Sequence, residues 1–280
     1  MKEIRLIALD LDNTTLDGEG RLTLRTRRAI ERALSSGIEV VVASGRSRLS
    51  LPEEVVSVAG LRYAITSNGA AVYDLQTGEA LHRLVLSSAA VEALLEQVDP
   101  ALELQVFIDG QGFASAQYLR DPSQYAPTTA IRWDYLKRTR RPVEDIRRFV
   151  WENRGRVDMF DVVLPDPDRR ETLIRQLRDR ILDIYVTTSA QYLVEVVHPD
   201  CGKRAGLRWL GERLGISAGQ TAAFGDAEND RDMIEYAGLG CAVANAEPQV
   251  RAAADWVVPS HREDGVAWAI ETILAKQGVP

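Results

Sequence analysis

The sequence predicts an α/β fold with a doubly wound parallel-sheet core and a second, α+β domain inserted into it. Three observations carry this. Short apolar runs alternate with helix-period segments in the first third of the chain and again from Lys203 onward, the pattern of βαβ units. The block between them is built differently, with a hairpin signal and strands in succession. Polar, carboxylate-rich residues fall at the ends of the predicted strands in both outer segments.

Taken in order, Ile4–Leu9 is an apolar stretch of strand length that delivers Asp10 and Asp12 into a turn. A helix is expected over about Thr23–Ser35, with Ala29, Ile30, Ala33 and Leu34 on one face and Gly37 as its stop. Ile38–Ala43 reads as a buried parallel strand ending in Ser44-Gly45-Arg46. Tyr63–Thr66 is a further strand running into Ser67-Asn68-Gly69-Ala70, a strong turn signal. In the middle block, Gln76-Thr77-Gly78 joins Ala71–Asp74 and Ala80–Arg83 as a hairpin. Helices are expected over Ser87–Gln97 and Pro167–Arg180, and strands over Leu102–Ile108, Phe160–Leu164, Ile184–Thr188 and Tyr192–Val197. Asp121–Pro142 is polar and Pro-containing, and its pattern matches neither period. The alternation then resumes. A helix runs from Lys203 to about Leu214, a strand covers Thr221–Phe224, and Gly225-Asp226 precedes a helix from Asn229 to Ala237. Strands near Gly240–Val243 and Trp256–Val258 and a last helix over Asp264–Ala275 complete the chain. The expected domains are 1–82 with 191–280 as the core, and 83–190 as the insertion.

Composition bounds the function. The 280 residues carry 45% apolar and 27% charged residues, a globular composition, and a net charge of −7. An acidic chain argues against a nucleic-acid partner. Arg138, Arg140 and Arg141 form a local basic cluster that reads as solvated surface. Cys201 and Cys241 lack metal-type spacing and read as reduced thiols. No apolar segment is long enough to span a bilayer, so a cytoplasmic protein without a membrane partner is expected.

The chemistry is concentrated at strand ends, where open α/β sheets bind ligands. Asp10 and Asp12 lie two apart, and like charges so close raise the cost of ionising one another. Such a pair needs a proton-transfer role or a compensating cation, and an oxygen-loving divalent ion such as Mg²⁺ suits it. Taken alone, the segment better fits a solvated turn capping the next helix. Ser44-Gly45 alone is an ordinary N-cap turn, and Lys203 alone a surface lysine. Together, Thr14, Ser44, Gly45, Lys203, Asp226, Asn229 and Asp230 join the two acids in a set of groups suited to phosphoryl transfer, where positioning and charge neutralisation dominate.

Four motifs in order carry a resemblance: Asp10-Leu-Asp12-Asn-Thr14, Ala43-Ser44-Gly45-Arg46, Gly202-Lys203, and Gly225-Asp226-Ala-Glu-Asn229-Asp230 with Met233. Thr66–Ala70, Asn245-Ala246 and Glu263-Asp264-Gly265-Val266 support them. In these the chain resembles the haloacid dehalogenase-like hydrolase superfamily, and within it the Cof-type phosphatases with an α/β cap of the C2 type. The resemblance implies a Rossmann-like core. It implies Asp10 as nucleophile forming an aspartyl-phosphate, and Asp12 as the acid and base that handles the leaving-group and water protons. Thr14 would brace the loop at the phosphate site. Ser44, the Gly45 N–H, Lys203 and Asn229 would hold the transferring phosphate. Asp10, Asp12 through its backbone carbonyl, Asp226 and Asp230 would bind or orient Mg²⁺.

The sequence departs from the family's pattern at a few places. Asn13 stands where glycine usually follows the second aspartate, and Asn tolerates the unusual backbone such a turn needs. Thr15 replaces a usual apolar residue, and Arg204 adds a cation beside Lys203. Arg46 is expected in a structural ion pair. The inserted domain would contact the organic part of the substrate; Asp161 and Thr188 are polar candidates there for which core or surface positions are expected. The expected function is Mg²⁺-dependent hydrolysis of small phosphate monoesters by a monomer or homodimer, with sugar phosphates as the leading class. Phosphoglycolate, phosphorylated vitamins such as pyridoxal phosphate, and glycosyl phosphates remain open. A phosphomutase on the same scaffold and a non-catalytic phosphometabolite-binding protein are the alternatives.

Overall fold

The computed structural model describes residues 3–126 and 129–279. Its strands, in chain order, are β1 (Leu6–Leu9), β2 (Glu39–Ala43), β3 (Tyr63–Thr66), β4 (Ala71–Asp74) and β5 (Ala80–Arg83). There follow β6 (Glu103–Ile108), β7 (Gln111–Ser115), β8 (Arg140–Val143), β9 (Val157–Val163), β10 (Tyr185–Thr187) and β11 (Leu193–Val197). The last are β12 (Thr221–Gly225), β13 (Leu239–Val243) and β14 (Trp256–Val258). The chain divides into two compact units, one of Met1–Gly45, Leu51–His82 and Gly202–Pro280, the other of Arg46–Ser50 and Arg83–Cys201.

The first unit is built on an eight-stranded sheet in the order β14-β13-β12-β1-β2-β3-β4-β5. β1 pairs in parallel with β2 on one side and β12 on the other, Leu9 lying opposite Val42 and Phe224. Its four residues are buried on both faces, which explains why the strand reads as an unbroken apolar run. Ile7 and Leu9 join Ala29, Ile30 and Ala33 of the helix Leu24–Ser35 and Ile270, Ile273 and Leu274 of the helix Gly265–Lys276. Leu6 and Ala8 join Leu207 and Leu210 of the helix Lys203–Leu214, with Met233. The sheet is therefore covered on both faces. The first crossover carries the chain from β1 to β2, whereas β12 returns on the other side of β1. That reversal opens the crevice at the carboxyl ends of β1 and β12, where α/β sheets hold ligands.

Local chemistry fixes the ends of these elements. The Thr23 side chain accepts from the Thr26 N–H and so caps the first helix. Gly78, at φ 73°, turns the hairpin between β4 and β5. Lys203–Leu214 ends on Gly215 in the left-handed conformation.

The second unit has a six-stranded sheet in the order β10-β11-β9-β6-β7-β8. All its pairings are antiparallel except β7 with β8. One face packs on Leu94, Val150 and Leu177 of three helices. β11 is hydrogen-bonded into this sheet, so the second unit runs past residue 190 to Cys201. Asp121–Pro142 acquires a helix, Ala130–Thr139, followed by β8. Residues 127–128 of that stretch lie outside the described residues. Arg138 and Arg141 are exposed, but Arg140 is buried at 8% exposure, a correction to the solvated cluster the sequence suggests. Its guanidinium reaches the Gln105 side chain and so buries with a partner. Both cysteines are free and buried. No helix among the described residues is long and apolar enough to cross a membrane.

Candidate active site

Asp10 is the first residue after β1, and its N–H donates to Phe224 O at 3.0 Å, which ties the turn to β12. The chain then turns sharply over Leu11–Thr15, with Asn13 at φ 56°. Asn is among the few residues that accept that left-handed geometry cheaply. Thr15 Oγ1 donates to Asp10 O at 2.5 Å, and Asn245 Nδ2 donates to Asn13 O at 2.9 Å. The Thr15 replacement thus acts as a brace for the turn that carries both aspartates.

Three carboxylates converge here. One oxygen of each of Asp10, Asp226 and Asp230 lies within 4.8 Å of the others. Lys203, fully buried at the start of its helix, donates from Nζ to Asp10 Oδ1 at 2.6 Å and to Asp230 Oδ1 at 2.5 Å. Asp230 Oδ2 accepts from the N–H groups of Asp226 and Ala227 at 2.9 and 3.0 Å. Asp226 Oδ1 accepts from Thr14 Oγ1 at 2.9 Å. The network thus joins the ends of β1 and β12 through the Lys203 helix. It needs glycine at position 225: a Cβ there would stand 2.3 Å from Asp230 Cβ.

The electrostatics are unbalanced. Three buried or half-buried carboxyl groups share one ammonium. Burial first, then the charge of Asp230, push Asp10 up to about 7 against the opposing pull of Lys203. Burial, then the charges of Asp10 and Asp230, push Asp226 up to about 9, with the Thr14 hydrogen bond and Lys203 working the other way. For Lys203, burial favours the neutral form, but the charges of Asp10 and Asp230 and its hydrogen bonds to both outweigh it, so its pKa is raised. An additional positive charge is what this cluster lacks. All-oxygen donors suit a hard divalent cation rather than a thiolate-seeking one. The buried aspartate cluster therefore fits a metal ion.

The remaining predicted residues fall around this cluster. Ser44 is buried at the end of β2, its N–H donating to Ile65 O at 2.9 Å, and Gly45 follows it. Asn229 Nδ2 donates to Asn68 Oδ1 at 3.0 Å. The Asn68 N–H donates to Ser44 O at 3.2 Å, and Asn68 O accepts from Gly202 N at 3.0 Å. Asn68 therefore links three predicted segments, a role the sequence signals only as a turn. Ser67 and Asn68 both have positive φ. Gly69 lies so near Gly202 that a Cβ on it would meet the Gly202 carbonyl oxygen at 2.0 Å. The Asp12 side chain is exposed and outside the three-carboxylate cluster. Arg46 donates to Ser50 O at 3.1 Å and lies over the Tyr135 ring at 4.3 Å. Arg204 N donates to Asp232 Oδ2 at 3.2 Å, a contact the sequence pattern does not signal.

The chain is similar to known proteins. A family model described as haloacid dehalogenase-like hydrolase matches residues 7–270. The chain is 30% identical over 268 residues to the 5-amino-6-(5-phospho-D-ribitylamino)uracil phosphatase YcsE of Bacillus subtilis, covering 96% of this chain and 95% of that one. It is 30% identical over 249 residues to an HMP-PP phosphatase of Cronobacter sakazakii, covering 89% and 87%. A crystal structure of a haloacid dehalogenase-like hydrolase from Bacteroides thetaiotaomicron, 28% identical, is similar with a TM-score of 0.79 over 97% of this chain and all of that one. The chain belongs to the haloacid dehalogenase-like hydrolases, as a Cof-type phosphatase with a separate cap sheet inserted into its sequence.

Proposed function

We propose that this phosphatase hydrolyses small phosphate monoesters, sugar phosphates foremost, in a Mg²⁺-dependent reaction through a phosphoryl group carried on Asp10. The observation that carries the reading is the buried Asp10–Lys203–Asp230 network with Asp226 beside it, at the crevice between the ends of β1 and β12. Relatives bear the names of phosphatases for unlike phosphorylated compounds, which supports a small phosphate ester as the substrate.

In this reading Asp10 attacks phosphorus with one carboxylate oxygen, forming an O–P bond as the bond to the leaving oxygen breaks. Asp12, held on the same turn with its side chain exposed, gives its proton to the departing alkoxide. It then takes a proton from the water that attacks phosphorus, which releases phosphate and restores the Asp10 carboxylate. Lys203 holds a fixed positive charge against Asp10 and a transferring oxygen. Ser44, the Gly45 N–H and Asn229 grip the other phosphate oxygens. Thr14 keeps Asp226 in place through its hydroxyl.

Asp10, Asp226 and the Asp12 carbonyl would hold Mg²⁺. When bound, the ion neutralises the repulsion between a carboxylate and a phosphate dianion. Asp230 accepts three N–H bonds in the structure and so serves to orient Lys203 and the Asp226 turn. The second unit, residues 83 to about 201, acts as the cap that meets the organic part of the substrate. A panel of phosphate esters assayed for released phosphate with MgCl₂ and with EDTA tests the reading. Release of phosphate from sugar phosphates only with Mg²⁺ is expected; metal-independent release, or release from no ester, would overturn it.

A further inference from the structure

A lysine that touches two carboxylates at once depends on where its backbone sits. Lys203 reaches Asp10 and Asp230 from the first residue of the helix Lys203–Leu214. The first N–H groups of a helix have no partner within it, and they stay loose unless other groups satisfy them. Gly202, just before the helix, stands at φ 124° and has no side chain with which to cap it. Glycine is also the residue least restrained by its own backbone. The local sequence therefore leaves this helix start loose, whereas the network around Lys203 needs it fixed.

Two contacts from distant segments make up for this. Gly202 N donates to Asn68 O at 3.0 Å, and Arg204 N donates to Asp232 Oδ2 at 3.2 Å. Both chain neighbours of Lys203 are thus tethered. Asp232 lies on the helix Glu228–Tyr236, which also carries Asp230. That helix meets Lys203 twice, Asp230 at its ammonium and Asp232 at the following backbone N–H. The Arg204 guanidinium lies over the Tyr236 ring at 5.6 Å, and Tyr236 is four residues on from Asp232, on the same helix face. Further along, Leu207 and Leu210 of one helix join Met233 of the other in one apolar cluster.

Capping alone does not explain an aspartate here. Asp232 Oδ1 is buried and takes no hydrogen bond in the protein. Buried polar atoms left unmatched are costly and uncommon. A hydroxyl would accept the same bond without leaving a second oxygen over. A carboxylate instead places negative charge at the positive end of the helix dipole and makes the bond to Arg204 N charge-assisted. A helix start that must not shift calls for that stronger tether.

We propose that Asp232 is a positioning residue for the reaction. It fixes the backbone at Lys203, so that the ammonium meets Asp10 and, in turnover, a phosphate oxygen. The catalytic consequence rests on the phosphatase reading above; the tether itself does not. Misplacing a positioned group by about 1 Å can cost on the order of 100-fold in rate. Loss of Asp232 leaves the Asn68 tether in place, so a smaller loss is expected.

Asp232→Ala removes the acceptor, and Asp232→Leu does so at nearly the same size if the alanine variant does not fold. Asp232→Asn keeps an acceptor. Thr23→Ala removes the cap of the helix Leu24–Ser35 in the same unit and controls for lost stability alone. The first readout is the Lys203 Nζ signal by NMR in lysine-labelled protein. The chain has four lysines, Lys2, Lys137, Lys203 and Lys276, and Lys203→Met identifies the signal. The second readout is kcat for 4-nitrophenyl phosphate at saturating MgCl₂. We expect Asp232→Ala to move or broaden the Lys203 signal and to lower kcat about tenfold. Asp232→Asn and Thr23→Ala should keep the parental signal and rate. Either readout left at its parental value by Asp232→Ala overturns the assignment. The same losses in Thr23→Ala, or in Asp232→Asn, overturn it as well, since they would trace the effect to stability or to something other than the hydrogen bond. Hydrolysis of no ester by the unsubstituted enzyme would instead sink the phosphatase reading, and the Lys203 signal alone would then decide the positioning role.

Discussion

Asp226→Asn should make the metal-free protein more stable while abolishing its stabilisation by Mg²⁺. In the absence of metal, the Asp226 carboxyl is raised from 3.8 to about 9. The folded state therefore binds this proton more tightly than the unfolded chain does. Its stabilising effect is complete below pH 3.8 and is lost progressively as pH rises through the folded value of about 9. Near pH 8 the unfolded chain has released the proton and the folded protein has not, a difference of about four units, or up to about 6 kcal/mol at about 1.4 kcal/mol per unit. Asp226 is half-buried, and screening by water reduces this to about 2 kcal/mol. Asn cannot ionise, so it escapes the cost, and its side-chain oxygen still accepts from Thr14. For a unit of this size the gain amounts to about 4–8 °C in Tm in EDTA. Mg²⁺ at about a hundred times its Kd should raise the Tm of the unsubstituted protein by an amount equivalent to about 2.7 kcal/mol near pH 8. The rise should be smaller near pH 5, where protons compete for the same oxygens, and close to nil in the variant. Calorimetry or dye-monitored melting at both pH values measures all of this. A variant no more stable than its parent in EDTA near pH 8, or an equal Mg²⁺ shift in both proteins, would refute the argument that Asp226 is a carboxylate awaiting a cation.

Other substitutions probe other links of the site. Asp10→Asn should lower kcat at least about 1000-fold with an unchanged circular dichroism spectrum, because an amide is no nucleophile; turnover near the parental rate would remove Asp10 from the chemistry. Lys203→Met leaves Asp10 and Asp230 facing one another with no buried cation, and should cost about 3–5 kcal/mol by chemical denaturation, partly restored by Mg²⁺; a loss below about 1 kcal/mol would contradict the network. Gly69→Ala should destabilise by about 2–4 kcal/mol, since φ is 87° and the new Cβ would overlap the Gly202 carbonyl; a neutral result would mean that this turn relaxes freely.

Much of the site was legible because it lies at strand ends. A buried parallel strand announces itself as an apolar run, and the residue that follows it is placed by the sheet. Asp10 after β1, Ser44 after β2 and Asp226 after β12 fall where that logic puts them. Asn13 keeps the sharp turn that glycine would have made, as its left-handed φ shows. Asn68 was legible only as a turn residue, since nothing local shows that its side chain reaches Asn229, 161 positions away in the chain.

The second unit was harder for the same physical reason. Its sheet face alternates polar and apolar residues, but alternation alone does not say which face meets solvent. Arg140 looks like a surface residue in isolation and is buried, and Asp161, for which core and surface positions were both expected, is buried as well. Arg140 is tolerated there because the sheet register brings Gln105 within reach. The sequence by itself determined the α/β core and the strand-end acids, because these follow from periodicity and local turn chemistry, and its four motifs carried the resemblance to the family. Only the tertiary structure decided that one lysine holds two aspartates together, that Asp226 lacks a balancing charge, and that Arg140 and Asp161 lie buried in the second unit. Those depend on distances between residues far apart in the chain, and such distances are set by packing.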